Sequence, residues 1–287
     1  MSSDKNSAVA KTSTQDRCIE EYKVTDQFKR MMTKAIKAQM KVLEMRAEML
    51  KPENWGAEEQ LEFFEIFGVT HNTVITIDSR EEKIKQRAKA EAAAKKNEEE
   101  GNNEPVAFPD PYIETRDNIT AYQFMVESVD RLIELCQKLH VKDPVKADDR
   151  EHGNFVNKTD DAIATANVTA DQTLYLKPTL FESILRVNIY QRFVCKELTG
   201  PESQVSSLCH ELSHFYRTGE NGKYGGMGTD DMPIEGGFSR DKNYLGEANR
   251  LKSEGDQYVF KNAYNIEKYF ECHLSDEQMI EIEKEVQ

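Results

Sequence analysis

The stretch 206–216 constrains this chain more than any other, because it places His-Glu-x-x-His inside a helical pattern. His210 and His214 are four residues apart and therefore lie on one face of a helix. Two imidazoles at that spacing can bind a single Zn²⁺ through their Nε2 atoms at about 2.0–2.1 Å, and Glu211 then lies beside the metal as a general base. The sequence therefore predicts a zinc-binding helix.

The apolar residues of the same stretch support this prediction. Leu208, Leu212 and Phe215 share a second face, roughly opposite the two histidines. One face would pack against a core while the other binds the metal. The alternative is a solvated helix that carries two surface histidines.

Composition and charge narrow the classes of function. The chain has 287 residues, 38% of them hydrophobic, which is enough for a core in one large domain or two smaller ones. Its 52 acidic and 38 basic residues leave a net charge of −14, so nucleic acid is not an expected partner. No apolar run is long enough for a membrane span, and residues 1–24 lack the apolar core of a signal peptide. We therefore expect a protein that is cytoplasmic or secreted by a dedicated or otherwise unconventional route.

The cysteines predict no covalent framework. They are scattered and odd in number, and none forms a Cys-x-x-Cys pair. We expect all of them to be reduced structural thiols, with no cysteine-type zinc site. The five are Cys18, Cys136, Cys195, Cys209 and Cys272.

Periodicity divides the chain into three regions. Residues 1–25 are polar and are expected to be a disordered or delivery tail, 26–118 an N-terminal helical region with a charged linker near 98–105, and 119–287 the region of the metal helix. The methionine-rich stripe of 26–50 should pack, with a promiscuous binding face as the alternative. Helices are predicted over 26–50, 58–67, 78–97, 119–139 and 180–193, an extended segment within 69–77, a polar loop over 142–158, and short strands over 162–167 and 173–176.

A catalytic zinc usually takes three protein ligands, so the chain after the second histidine should supply one more. A metzincin would place Gly and His three and six residues further on, where this chain has Arg217 and Glu220. A thermolysin-like site would use a glutamate on a helix, but two glycines follow Glu235 and disfavour a helix there. Neither pattern fits.

The sequence does resemble the aspzincins, the family of deuterolysins and peptidyl-Lys metalloendopeptidases, which pairs His-Glu-x-x-His with Gly-Thr-x-Asp. The second motif is matched here by Gly228-Thr229-Asp230-Asp231 in a glycine-rich turn. The resemblance implies a predominantly helical, zincin-like α+β fold with a small β-sheet beside the zinc-binding helix. It also implies that His210, His214 and Asp231 bind Zn²⁺ and that Glu211 is the general base.

Two assignments within this resemblance stay open. The family motif continues with Tyr-Gly, whereas Met232-Pro233 follow here, and a shift of one residue in the turn would make Asp230 the ligand in place of Asp231. In related enzymes a tyrosine between the second histidine and the aspartate stabilises the oxyanion. That role implies Tyr216 or Tyr224 here, and we favour Tyr224 because glycines flank it.

The resemblance implies a zinc-dependent metalloendopeptidase that acts on protein or peptide substrates and prefers cationic residues near the cut. A deuterolysin-like core without an export signal would either act inside its own cell or leave by a dedicated machine. In the second case we expect a secreted bacterial effector or toxin that belongs to a secretion system. The alternatives are a zinc amidase that acts on cell-wall peptides and a catalytically silent binding module with the zincin fold. The intact Glu211 argues against the silent module, because a site without turnover needs no base.

Overall fold

The computed structural model describes residues 25–77, 80–101, 116–144, 150–159, 165–168, 185–215, 225–231 and 243–286. Helices account for about 60% of these residues, and two small sheets accompany them, so the expected α+β class is confirmed. The helices are α1 (Thr25–Met49), α2 (Ala57–Phe67), α3 (Arg80–Glu99), α4 (Ala121–Lys138), α5 (Gln191–Val194), α6 (Gln204–Ser213), α7 (Tyr244–Glu254), α8 (Ala263–Tyr269) and α9 (Asp276–Val286), with a 3₁₀ turn at Gln257–Phe260.

The strands form one sheet of two strands and one of four. In the first, β1 (Val74–Ile77) pairs antiparallel with β2 (Arg116–Thr120). The second contains β3 (Glu151–His152), β4 (Phe155–Lys158), β5 (Ala166–Val168) and β6 (Val187–Tyr190) in the order β3-β4-β6-β5. Strands β4 and β6 are parallel, while β5 is antiparallel to β6 at one edge. This edge strand packs against α6, the predicted metal helix.

Helix α1 packs through its apolar stripe, as the sequence predicted. Phe28, Met32, Ala35 and Leu43 are fully buried, because residues at this spacing return to the same face of a helix. Helix α1 contacts α4, α6 and α9, so it packs against the predicted metal-binding helix. The predicted boundary between residues 118 and 119 falls within β2, and residues from both sides of it share one hydrophobic core.

A buried arginine ties α1 to two other helices. Arg46 is only 2% exposed and donates two hydrogen bonds, of 3.0 and 2.9 Å, to the carboxylate of Glu62 on α2. Its guanidinium also lies 4.3 Å from the ring centroid of Tyr269 on α8. Planar, two-pronged contacts of this kind define the relative positions of the helices more closely than apolar packing alone.

Two predicted elements are wrong. The predicted loop 142–158 contains β3 and β4, and the predicted helix 180–193 contains β6 followed by the single turn α5. In β6, buried Val187 and Ile189 alternate with half-buried Asn188 and Tyr190, which is the period of a strand. Strands β4 and β5 flank β6 on both sides, and these pairings decide its conformation. Residues 180–184 lie outside the described residues.

The other predicted elements agree with the structure where it describes them. Helices α1, α2 and α4 match the predictions over 26–50, 58–67 and 119–139 within about two residues, and β1 lies within the predicted extended segment 69–77. Helix α3 continues to Glu99, into the predicted linker 98–105. Strand β5 overlaps the end of the predicted strand 162–167, while 173–176 lies outside the described residues.

The prediction that every cysteine is a reduced thiol is wrong for Cys195, which is disulfide-bonded. The sequence could not show this, because pairing depends on distances between segments that are remote in the chain. Cys136, Cys209 and Cys272 are free thiols. As for the membrane, none of the helices in the described part of the chain combines the length and apolar character needed to cross a bilayer.

Candidate metal centre

Helix α6 carries the predicted metal motif in a buried position. The Ser203 side chain accepts a hydrogen bond from the Ser206 amide at 3.1 Å and caps the first turn. All ten residues of the helix are buried, and Leu208 and Leu212 are fully inaccessible. His210 is 6% exposed, so the alternative of a solvated surface helix does not apply.

Each histidine of the motif uses its Nδ1 atom for a hydrogen bond and so turns its Nε2 atom toward the same place. His210 Nδ1 lies 3.1 Å from Glu267 Oε2, and His214 Nδ1 lies 2.9 Å from the carbonyl oxygen of Thr229. In both contacts the acceptor makes the imidazole Nδ1 the donor. Proteins commonly orient zinc-binding histidines in this way, which leaves Nε2 available as the ligand atom.

The third predicted ligand comes close to both Nε2 atoms. Asp231 Oδ1 lies 3.1 Å from His210 Nε2 and 3.8 Å from His214 Nε2. Ligand atoms on a tetrahedral zinc with bonds of about 2.0–2.1 Å are about 3.3–3.4 Å apart, so these separations suit one shared ion. The donor set of two imidazole nitrogens and one carboxylate oxygen is also one that zinc prefers. The residues present therefore fit a zinc ion.

The segment that carries Asp231 is bonded back onto the end of α6. The amides of Gly226 and Gly228 both donate to the carbonyl of Phe215 at 3.0 Å. The amides of Met227 and Thr229 donate to the carbonyl of Ser213 at 3.0 and 3.1 Å. These bonds satisfy carbonyl groups that a helix end leaves unpaired, and they place the segment beside the histidines.

Gly226 is required at its position by this close approach. A Cβ atom there would lie 2.2 Å from the carbonyl oxygen of Leu212, a backbone atom that cannot move aside. Its own carbonyl accepts a hydrogen bond of 2.8 Å from Nε of the buried Arg131 on α4. Helix α4 therefore helps to position the loop that carries the predicted ligand Asp231.

The two aspartates of the turn have different surroundings. The backbone of Asp230 is anchored to the start of α8, because its amide donates to the carbonyl of Lys261 at 2.8 Å and its carbonyl accepts from Ala263 at 3.1 Å. Burial raises the pKa of the Asp230 carboxyl, which disfavours its charged form. Asp231 reaches the histidine Nε2 atoms, and its side chain is 44% exposed, so the centre opens to solvent on that side.

Glu211 lies between the histidines and the edge strand of the sheet. Its Oε2 atom accepts a hydrogen bond of 3.0 Å from the amide of Val168 on β5. One ligand-type atom from each of His210, Glu211 and His214 lies within 4.8 Å of the others. Burial raises the pKa of the Glu211 carboxyl, the change that a proton-accepting carboxylate needs to work near neutral pH.

Helix α8 contributes two residues that the sequence analysis missed, Glu267 and Tyr264. Besides His210, Glu267 accepts a hydrogen bond of 3.1 Å from the hydroxyl of Ser206. Burial opposes the charge on Glu267, but the hydrogen bonds from His210 and Ser206 and the positive charges of His210 and Lys196 together lower the pKa of the carboxyl. The ring of Tyr264 meets the ring of His210 edge-on, with centroids 4.8 Å apart.

The sequence contains a weak indication that Glu267 and Tyr264 act together. They are three residues apart in a segment that begins with the capping residue Asn262, so they share one helix face. Nothing local, however, indicates that this face contacts α6. The predicted catalytic tyrosine, Tyr224, lies outside the described residues.

Replacing Glu267 by Gln should weaken zinc binding by about 10–100-fold, because the amide keeps the shape but loses the charged acceptor that orients His210. The affinity can be measured by competition with a chromophoric chelator. Glu98→Gln, on an exposed part of α3, is the matched control and should bind zinc like the wild type. Equal affinity in both variants would show that Glu267 does not support the ligand.

Zinc affinity should rise with pH. Burial disfavours the charged form of His210, but its hydrogen bonds to Asp231 and Glu267 prevail and raise its pKa to about 10. Below that value the metal must displace a proton, so each added pH unit should tighten binding about tenfold for this one group. Chelator competition at about pH 7 and about pH 8 tests this. A zinc affinity that stays constant, once the pH dependence of the chelator's own zinc affinity has been corrected for, would contradict this prediction.

Comparisons of the chain with protein-family models, with curated proteins and with solved structures find no match.

Proposed function

We propose that this protein is a zinc-dependent metalloendopeptidase of the aspzincin type, with a zincin-like catalytic region. One observation carries the proposal. The Nε2 atoms of His210 and His214 converge on Asp231, with Asp231 Oδ1 3.1 and 3.8 Å away, while Glu211 lies beside the same place without being needed as a ligand. Three ligands and an adjacent carboxylate base are what the hydrolysis of a peptide bond by a metal centre requires.

The residues divide the work between binding and proton transfer. His210, His214 and Asp231 would hold the ion, which when bound polarises the peptide carbonyl and makes water more acidic. Glu211 accepts a proton from the attacking water on one of its carboxylate oxygens and passes it to the leaving amine. Its raised pKa suits both halves of this transfer, because the group must take up the proton and then release it.

The free edge of the four-stranded sheet is an argument for a peptide as the substrate. Strand β5 lies at the end of the strand order and, among the described residues, pairs only with β6. An extended peptide can add to such an edge through main-chain hydrogen bonds. Because the amide of Val168 on β5 contacts Glu211, a peptide bound along β5 would pass close to the base.

Specificity and delivery are further parts of the proposal. The net charge of −14 and the carboxylates around the centre favour a substrate with cationic residues near the cut. The resemblance to secreted peptidases favours a role as a bacterial effector or toxin that reaches its target through a secretion system. A zinc amidase would use the same centre on cell-wall peptides, so the substrate distinguishes the two.

The proposal is tested by zinc content and proteolysis of the purified protein. We expect about one zinc per chain. Casein should be cleaved, cleavage should stop when 1,10-phenanthroline removes the metal, and added zinc should restore it. Release of peptides from purified cell wall in place of casein would favour the amidase. A protein that binds no zinc after incubation with the metal would refute the proposal.

A further inference from the structure

We propose that a groove beside the C-terminal half of α1 is a docking site for a basic amphipathic helix of another protein. This α1 groove has a volume of about 610 Å³ and lies between α1, the first turns of α2 and the first turn of α9. Pockets of roughly 300–1,000 Å³ are large enough to bind ligands or anchoring side chains. Helix α6 meets α1 on another side, through buried residues such as Gln39, so this inference does not depend on the proposed peptidase function.

A stripe of charged residues runs along α1 on the side away from the core. Its members recur at intervals of three and four residues, the spacing that keeps side chains on one face of a helix. They are Lys34, Lys37, Lys41, Glu44 and Glu48. The intervening residues Val42, Leu43 and Arg46 are buried, so they turn the opposite face of α1 toward the core. The stripe is therefore the solvent side of α1.

Helix α9 covers the first part of this stripe with residues of opposite charge. Each of the three lysines of the stripe forms an ion pair with a glutamate of α9. The pairs are Lys34 with Glu283, Lys37 with Glu285, and Lys41 with Glu281. Ile282 of α9 is buried among these glutamates in the sequence and supplies the apolar contact. The stripe thus already holds one amphipathic helix, and that helix is acidic where the stripe is basic.

The charge of the stripe reverses where α9 ends. Helix α9 begins at Asp276, and Gln278 in its first turn lines the α1 groove. Past this point the stripe presents Glu44 and Glu48, and Glu59 adds a third carboxylate from α2. No described residue of α9 extends over this part of the stripe. By charge complementarity, a helix that continues the line of α9 over the groove should be basic.

The carboxylates of the groove are charged and keep acceptor capacity for a partner. A hydrogen bond from Lys51 lowers the pKa of Glu48, so Glu48 is ionised at neutral pH. Glu59 accepts one hydrogen bond, of 2.9 Å, from the Gly56 amide. Glu44 makes neither a hydrogen bond nor an ion pair with the described parts of the chain. Lys41, the cation in the groove lining, is already paired with α9, so the open surface is net negative.

Two methionines give the groove an apolar floor. Met45 and Met49 are one helix turn apart, and both are half-buried. The Met49 Sδ atom accepts a hydrogen bond of 3.5 Å from Nη1 of Arg46, which orients its side chain. Unbranched thioethers adapt to apolar side chains of different shapes. The binding face that the sequence left open for the methionine stripe of 26–50 is thereby limited to these two residues, since Met31 and Met32 are buried.

An apolar floor with acidic sides suits a helix that has an apolar stripe flanked by Lys or Arg. The test measures peptide binding to the full-length protein by fluorescence anisotropy. The probe is a fluorescein-labelled peptide of Leu and Lys, about 14 residues or about four turns long, with its leucines on one helix face. The control peptide has Glu in place of every Lys. We expect the basic peptide to bind and the acidic peptide not to bind.

The contribution of the carboxylates is measured with Glu44→Gln/Glu48→Gln. We expect the basic peptide to bind this variant about fivefold to tenfold more weakly than the wild type, because two exposed ion pairs are lost. Glu98→Gln/Glu99→Gln, at the exposed end of α3, is the matched control. It removes the same amount of negative charge and should bind the peptide like the wild type.

The contribution of the floor is measured with Met45→Gln/Met49→Gln. Glutamine has a similar length and helix propensity but lacks the apolar character, so we expect affinity for the basic peptide to fall about tenfold. A benzophenone group at a central leucine of the peptide reports the place of binding. Photocrosslinks should fall on the α1 residues that line the groove.

Several results would overturn the proposal. Equal affinities in Glu44→Gln/Glu48→Gln and Glu98→Gln/Glu99→Gln would show that the peptide responds only to net charge. A basic peptide that does not bind, or that crosslinks away from the α1 groove, would also contradict the proposed site. If sedimentation shows that the wild type dimerises and that Met45→Gln/Met49→Gln does not, the occupant is a second copy of this chain and the basic partner is wrong.

Discussion

Replacing Glu211 by Gln is expected to lower kcat for casein cleavage by about 10²–10⁴-fold while zinc stays bound. Glutamine has the shape of the carboxylate but cannot accept the proton of the attacking water. Its amide oxygen can still accept the hydrogen bond that the Val168 amide donates to Glu211, so the position of β5 should not change. The effect should therefore be confined to turnover.

The variant should also be at least as stable as the wild type. Burial raises the pKa of Glu211, which means that the ionised carboxylate is less favourable in the folded protein than in the unfolded chain at neutral pH. A neutral amide removes that penalty. Urea denaturation compares the free energies of unfolding, and Glu197→Gln, an exposed change shortly before α6, is the control for both activity and stability. Full activity in Glu211→Gln would exclude Glu211 as the base.

The second large effect is expected from replacing Asp231, one of the two adjacent aspartates in the turn 228–231. Asp231→Asn should weaken zinc binding by more than the roughly 10–100-fold that the loss of an outer hydrogen-bonding partner causes, because a ligand itself is lost. Asp231 is the residue whose Oδ1 atom approaches both histidine Nε2 atoms. Isothermal titration of the metal-free protein with zinc measures the change.

Asp230→Asn is the matched control for this prediction. The contacts that anchor Asp230 to α8 use its backbone, which the substitution leaves unchanged. A neutral side chain also suits its surroundings, since burial already raises the pKa of the Asp230 carboxyl. Zinc affinity should therefore stay near the wild-type value. A large loss in Asp230→Asn with little change in Asp231→Asn would reverse the assignment of the third ligand.

The sequence predicted well those features that depend on residues close together in the chain. The buried stripe of α1 and the helix around His210 follow from the helical spacing of apolar residues and from local caps such as Ser203. The predicted grouping of His210, Glu211 and His214 follows from their positions on a single helix turn. Asp231 could be predicted only from the resemblance to a known motif, because it lies seventeen residues beyond His214.

Sequence patterns failed where contacts between remote segments decide the outcome. The sequence predicts a helix over the segment of β6, but the conformation of this segment follows from pairing with β4 and β5 on either side. The sequence predicts a polar loop over the segment of β4, although Phe155 pairs with Val187 and is fully buried. A strand is stabilised by hydrogen bonds to partners elsewhere in the chain, so a short one leaves little trace in its own sequence.

By itself, then, the sequence determined the helix that carries the His-Glu-x-x-His motif and the face on which its two histidines lie, because residues four apart on a helix are neighbours in any fold. Only the tertiary structure decided what surrounds that face. Glu267 and Tyr264 reach His210 because α8 packs along α6, and Val168 reaches Glu211 because β5 is the edge of the sheet. These contacts join residues more than forty positions apart, and the packing of the whole core holds them in place.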